Sequence, residues 1–243
     1  MRRQSVQEAL ESLDDATAEL VAAAGLLTDA DARAGSLLPG WTRGHLLTHV
    51  ARNAEGGARL LGWARTGIPG FQYPSVAARA AAIDEGAGRP AAVLAADVRA
   101  TAAAFAEAAA AVPPGAWQNP VTWTTGRQTP AEMIVLSRLG EVLIHHVDLG
   151  TGFGAGSWPE AFVREMLGVA VRSLGEHTPA PMAVRLRAVD TGRDFQIGDP
   201  AGSLEVSGAE GELLAWLLGR SDGAGLGRDT PGPLPPLPSV YFT

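Results

Sequence analysis

Residues 36–63 constrain the fold of this chain more than any other stretch. After the Pro39-Gly40 turn, Thr42 is a suitable N-cap, and a helix is expected from there to about Thr66. Leu46, Leu47, Val50, Ala54 and Leu61 recur at helical period and form an apolar stripe. His45, His49, Asn53 and Gly56 fall on a different face, because residues three and four apart are neighbours on a helix. That second face carries metal-capable and small residues, which suits a cavity better than open solvent.

A second stretch, residues 129–150, answers the first. Thr129 and Glu132 predict a capping box with Pro130 at the first helical position. Met133, Leu136, Leu139, Leu143 and Val147 are expected in the core. Arg138, Glu141, His145 and Asp148 form a charged stripe at spacings of three and four. A helix apolar around most of its circumference is expected to be buried, and buried charges are paired or bound to metal. Glu141 and His145 can converge on one point, and His49 can add a third ligand if the two helices face each other in a bundle. Two histidines and a glutamate form one known ligand set of catalytic zinc, leaving one position open.

Other histidines have plainer readings. His45 lies in the first turn of its helix, either near the site or partly exposed. His146 is one residue off the charged stripe and is read as packing elsewhere. His177 reads as a cation at a helix C-terminus. Asn53, Arg138 and Asp148, with His45, are candidates for orienting ligands or touching a substrate.

Composition enters through two absences. The 243 residues include no cysteine and no lysine. Disulfides, Cys-ligated zinc, iron–sulfur clusters, cysteine nucleophiles, Schiff-base lysines and Walker-type lysines are all excluded. Any thiol chemistry needs a thiol brought in. The net charge of −7 argues against nucleic acid as a partner. A basic Met1–Gln4 is followed by an amphipathic acidic segment, with no signal peptide and no span for a bilayer, so a cytoplasmic location is expected.

Helices are expected near 5–27, 42–66, 76–85, 89–112 and from 129 onward, with 28–37 as a connection and 113–126 as a loop or short hairpin. The Gly-rich 151–157 marks a boundary between an all-helical domain, 1–152, and a small α+β domain, 153–243. The latter should hold a helix over 159–177, strands near 183–189, 195–198 and 203–207, and a helix over 210–218 opened by a Ser207/Glu210 capping box. The Pro-rich tail from Pro231 is read as an extended strap.

The stretch Leu38-Pro-Gly-Trp-Thr-Arg-Gly-His-Leu-Leu-Thr-His-Val-Ala-Arg-Asn-Ala-Glu-Gly56 closely resembles the start of the mycothiol-dependent maleylpyruvate isomerase family, a DinB-like group of metalloenzymes. Residues 62–69, Arg89-Pro-Ala-Ala, Glu141 with His145 and Val147-Asp-Leu149, and more weakly Leu213–Arg220, continue the likeness. The resemblance implies a DinB-like four-helix bundle followed by a small α+β domain. It implies a divalent metal, usually zinc, held by His49, Glu141 and His145, and an arginine matching Arg220 that reaches towards the metal. It implies mycothiol as thiol cofactor and isomerisation of maleylpyruvate to fumarylpyruvate, with a mycothiol S-transferase acting on another electrophile as the alternative. A non-catalytic metal- or ligand-binding protein is the third reading. A monomer is favoured.

Overall fold

The computed structural model describes residues 5–177, 183–230, 232 and 234. The expected strap, the basic N-terminus and the side chain of His177 lie outside the described residues. The chain divides into two compact units, one ending at Gly152 and the other beginning at Phe153.

The first unit is helical. Helix α1, Val6–Gly25, opens on a Ser5/Glu8 capping box and buries Ala9, Leu13, Ala16, Leu20 and Ala24 along one side. The expected connection 28–37 contains a short helix α2, Asp29–Arg33, because Thr28 and Asp31 cap each other's backbone donors. Asp29 then reaches forward: its carboxylate accepts the backbone N–H of Ala91 at 2.7 Å. That contact satisfies an orphan donor at the start of α5, Ala91–Ala110, whose N-cap is Pro90 and has no side-chain cap of its own.

Helix α3, Arg43–Thr66, starts at Thr42 and ends on Gly67 with φ +75°. All five residues of its apolar stripe are buried. It packs against α5, against α4 (Val76–Ala87) and against α6 (Glu132–Asp148), while α1 packs on α5 and α6. Helices α1, α3, α5 and α6 thus form a four-helix bundle, with α4 laid beside α3. Two glycines permit that close approach. A Cβ on Gly44 would stand 2.1 Å from the backbone oxygen of Ala87, and one on Gly86 would stand 2.4 Å from the Thr48 side chain.

The start of α6 departs from expectation. Thr129 and Pro130 belong to a strand, β2 (Gln128–Pro130), paired antiparallel with β1 (Pro120–Thr122). Thr129 is held in the strand opposite Val121, two residues ahead of the N-cap, and its hydroxyl accepts from the Trp123 indole at 2.8 Å. Helix α6 begins beyond it with Ala131 at the N-cap and no side-chain cap. Of its expected core residues, Leu139, Leu143 and Val147 are buried, whereas Met133 and Leu136 are half-buried. Its C-terminal end is tied to α3: Arg43 donates to the carbonyl of Leu149 at 2.6 Å.

The second unit carries α7 (Glu160–His177), a four-stranded sheet and α8 (Glu210–Leu217). The strands are β3 (Val184–Ala188), β4 (Asp194–Ile197), β5 (Leu204–Gly208) and β6 (Gly227–Arg228), in the order β4-β3-β5-β6. Strands β3 and β5 run parallel, and the other pairs are antiparallel. The Ser207 cap is overturned: Ser207 lies in β5, the N-cap of α8 is Ala209, and the backbone N–H of Glu210 donates to Asp190. The side chain of Glu210 is buried and accepts from Thr191 and Arg193. No helix of the described residues is long and apolar enough to cross a membrane.

Candidate metal centre

Helices α3 and α6 bring three side chains to one point. His49 Nε2 lies 2.8 Å from Glu141 Oε2 and 3.1 Å from His145 Nε2, and His145 Nε2 lies 3.1 Å from Glu141 Oε2. This is a group that could hold a metal ion, each residue offering one ligand atom. The donor chemistry fits a divalent cation. Two imidazole nitrogens and one carboxylate oxygen form a triangle small enough for a point just off its plane to be within about 2.1 Å of every corner, the length of a zinc–nitrogen bond. The cluster is largely enclosed, with side-chain exposures of 3% for His49, 14% for His145 and 16% for Glu141.

The electrostatics follow from that enclosure. Burial is the largest influence on His49 and lowers its pKa to about 4, against the raising effect of Glu141. Burial pushes the Glu141 carboxyl up, but the charges and hydrogen bonds of the two histidines outweigh it and hold the group well below the ordinary range. Burial lowers His145 too, yet its hydrogen bonds to Asp148 and Glu141 win and raise its pKa above 6.5. Asp148, itself buried, accepts from His145 Nδ1 at 2.8 Å.

The remaining sequence candidates separate. Arg138 and Asn53 are buried beside the site: Arg138 Nη1 donates to Asn53 Oδ1 and to the Val50 carbonyl, both at 2.9 Å. Burial lowers the Arg138 pKa to about 10, with Glu141 opposing. His45 does not join the cluster. Its Nδ1 meets the Thr42 hydroxyl at 2.7 Å and the Thr42 N–H at 3.2 Å, completing the cap of α3. His146 is buried, and burial lowers its pKa to about 4. Arg220 lies in the second unit just after α8, where its guanidinium donates to the Leu218 carbonyl at 2.6 Å.

Three residues that sequence reasoning missed surround His49. Arg79 of α4 donates to His49 Nδ1 at 3.1 Å. Trp41 presents an edge contact to the same ring, with centroids 5.5 Å apart. Tyr73 lies under the Arg79 guanidinium, 5.7 Å from it, in a loop pinned to α3. That loop is held by Arg59, which donates to the carbonyls of Phe71 and Gln72, and a Cβ on Gly56 would collide with the Gln72 carbonyl at 2.9 Å. The signal for Arg79 was present but faint: it is the one cation in the α4 sequence.

Residues 13–150 match the sequence profile of the mycothiol maleylpyruvate isomerase N-terminal domain. The chain belongs to this family. The family's solved folds extend the likeness to the whole chain. A crystal structure of the mycothiol-dependent maleylpyruvate isomerase is 27% identical, covers 99% of this chain and 100% of its own, and superposes with a TM-score of 0.92. A histidine-to-alanine mutant of that isomerase matches with the same identity and coverage at a TM-score of 0.93. No curated protein sequence matches the chain.

Proposed function

We propose that this protein is a metal- and mycothiol-dependent cis–trans isomerase that converts maleylpyruvate to fumarylpyruvate. One observation carries the reading: His49, Glu141 and His145 converge within a fold that matches the mycothiol-dependent maleylpyruvate isomerase over its full length.

The chemistry requires a temporary single bond where the substrate has a double bond. A thiolate that adds to the conjugated alkene creates that single bond; rotation and expulsion of the thiolate leave the trans isomer, and the thiol is regenerated. The chain has no cysteine, so mycothiol supplies the sulfur. A divalent metal bound at the cluster supplies Lewis acidity, which lowers the pKa of a thiol. His49, Glu141 and His145 would hold it. Asp148 fixes the His145 ring with its Nδ1–H occupied, so that Nε2 faces the site. Burial keeps His49 neutral, the charge state a ligand needs. All three ligands come from one chain, so the reading requires no second copy, and a cytoplasmic location accompanies a mycothiol enzyme. The role of Arg220 in holding substrate charge rests on the family resemblance alone.

The test combines metal analysis of the purified protein with maleylpyruvate isomerisation, with and without mycothiol, using His49→Ala as control. Thiol-dependent turnover without thiol consumption, lost in the variant, is the expected result. Stoichiometric consumption of mycothiol against other electrophiles, with no isomerisation, would replace the isomerase by an S-transferase.

A further inference from the structure

The two histidines of the cluster are held in opposite ways. His145 has its Nδ1–H engaged by the Asp148 carboxylate, which turns Nε2 towards the cluster. His49 has Nδ1 engaged by a guanidinium, which can only donate. Its Nδ1 must therefore be the lone-pair nitrogen, and its Nε2–H donates to Glu141 at 2.8 Å. A neutral imidazole carries one N–H. For His49 to use Nε2 as a ligand, that hydrogen must move to Nδ1, where it would face the Arg79 N–H donor. Two donors cannot satisfy each other, so a bound metal removes the acceptor that Arg79 uses.

Arg79 then has a new partner to find, and its surroundings suggest one. It is half-buried on α4, so a small ligand can reach it. The Tyr73 ring lies under it, and the Tyr73 hydroxyl is buried with no hydrogen-bond partner, while the residue as a whole is 8% exposed. A buried hydroxyl without a partner is costly unless a ligand or water completes it. The chain's net charge of −7 repels a dicarboxylate at long range, so capture of such a substrate needs a local cation. A guanidinium beside a phenol hydroxyl provides charge and directed donors for one carboxylate.

We infer that Arg79 and Tyr73 form a carboxylate-binding subsite next to the metal cluster, and that metal loading frees Arg79 from His49 to serve it. The subsite takes an aliphatic carboxylate. That this carboxylate belongs to maleylpyruvate rests on the isomerase reading; the subsite itself does not.

The experiment measures equilibrium binding of maleate to the zinc-loaded full-length protein by calorimetry, in wild type, Arg79→Met, Arg79→Lys and Tyr73→Phe. The neutral diamide of maleic acid is the control ligand, and zinc affinity is measured for each variant by chelator competition. Arg79→Met should weaken maleate about tenfold or more, Tyr73→Phe about threefold or more, and Arg79→Lys should recover part of the loss, because a charged hydrogen bond is worth more than a neutral one. Arg79→Met should also bind zinc more tightly than wild type, since the competing contact to His49 is gone. Maleate affinity unchanged in Arg79→Met would overturn the subsite. Zinc affinity no higher in that variant would overturn the release of Arg79. Maleate binding is read without turnover, so absence of isomerase activity would sink the isomerase reading and leave this result standing.

Discussion

Asp148 holds His145 by its Nδ1, at 2.8 Å, from three residues further along the same helix. The carboxylate fixes both the ring's tautomer and its rotation, and it is buried where water cannot replace it. Asp148→Asn keeps the shape but loses the charge that raises the His145 pKa. Zinc affinity should fall about 10- to 100-fold, as measured by chelator competition, with the far-ultraviolet dichroism unchanged. Unaltered affinity would show that His145 needs no orienting partner.

Removing a ligand has a larger effect than removing its support. His49→Ala leaves one imidazole and one carboxylate, too few to hold zinc against exchange. Metal content after dialysis should drop to less than about a tenth of the wild-type value, and isomerisation should fall by about a hundredfold or more.

Metal binding should depend on pH through one proton. Glu141 is held well below the ordinary range and is already a carboxylate near neutrality. His49, at about 4, is already neutral. His145 is the exception, since its raised pKa keeps it protonated above pH 6.5 in the metal-free protein. That proton must leave before Nε2 can ligate. Zinc affinity should therefore rise about tenfold per pH unit below the His145 pKa and level off above it. Calorimetry in buffers of different ionisation heat should count close to one proton released well below the His145 pKa, falling towards none above it. A flat profile there would contradict the arrangement.

Two glycines of α3 make a paired test of packing. A Cβ on Gly44 would meet the backbone of Ala87, which cannot swing aside, whereas a Cβ on Gly62 meets nothing within 4 Å. Gly44→Ala should destabilise the first unit by about 1–3 kcal/mol as α4 is forced off α3. Gly62→Ala should stabilise it by about 0.5–1 kcal/mol through helix propensity. Denaturant midpoints measure both.

The cluster was legible in the sequence because its three residues lie on two long helices with clear periodicity. Glu141 and His145 share a face by spacing, and His49 lies on the polar face of α3. Arg79 and Tyr73 were not legible for a physical reason. Tyr73 sits in a loop, whose path is set by Gly56 and Arg59 and by no periodic pattern. Arg79 sits in a short Ala-rich helix whose docking depends on two glycines of no obvious periodic meaning. The Thr129 cap failed through competition: residues 128–130 pair with β1, so α6 can start only after them, at Ala131, and the Thr129 hydroxyl meets Trp123 instead. Helix α2 was missed because five residues are too few to show a period, although its Thr28/Asp31 box is plain once seen. The two-residue β6 gave no signal at all.

The distance along the chain between the ligands gives the cluster a second meaning. His49 is 92 residues from Glu141 and 96 from His145. A metal at this point ties together the two ends of a segment that contains α4 and α5 entirely. In a protein without cysteine, it is the available equivalent of a long-loop crosslink. At a free metal concentration a hundred times its dissociation constant, such a tie adds about 2.7 kcal/mol to the folded state. Stripping the metal should thus lower the melting temperature of the first unit by about 5–10 °C, so that metal supply sets how long the enzyme survives as well as how fast it works.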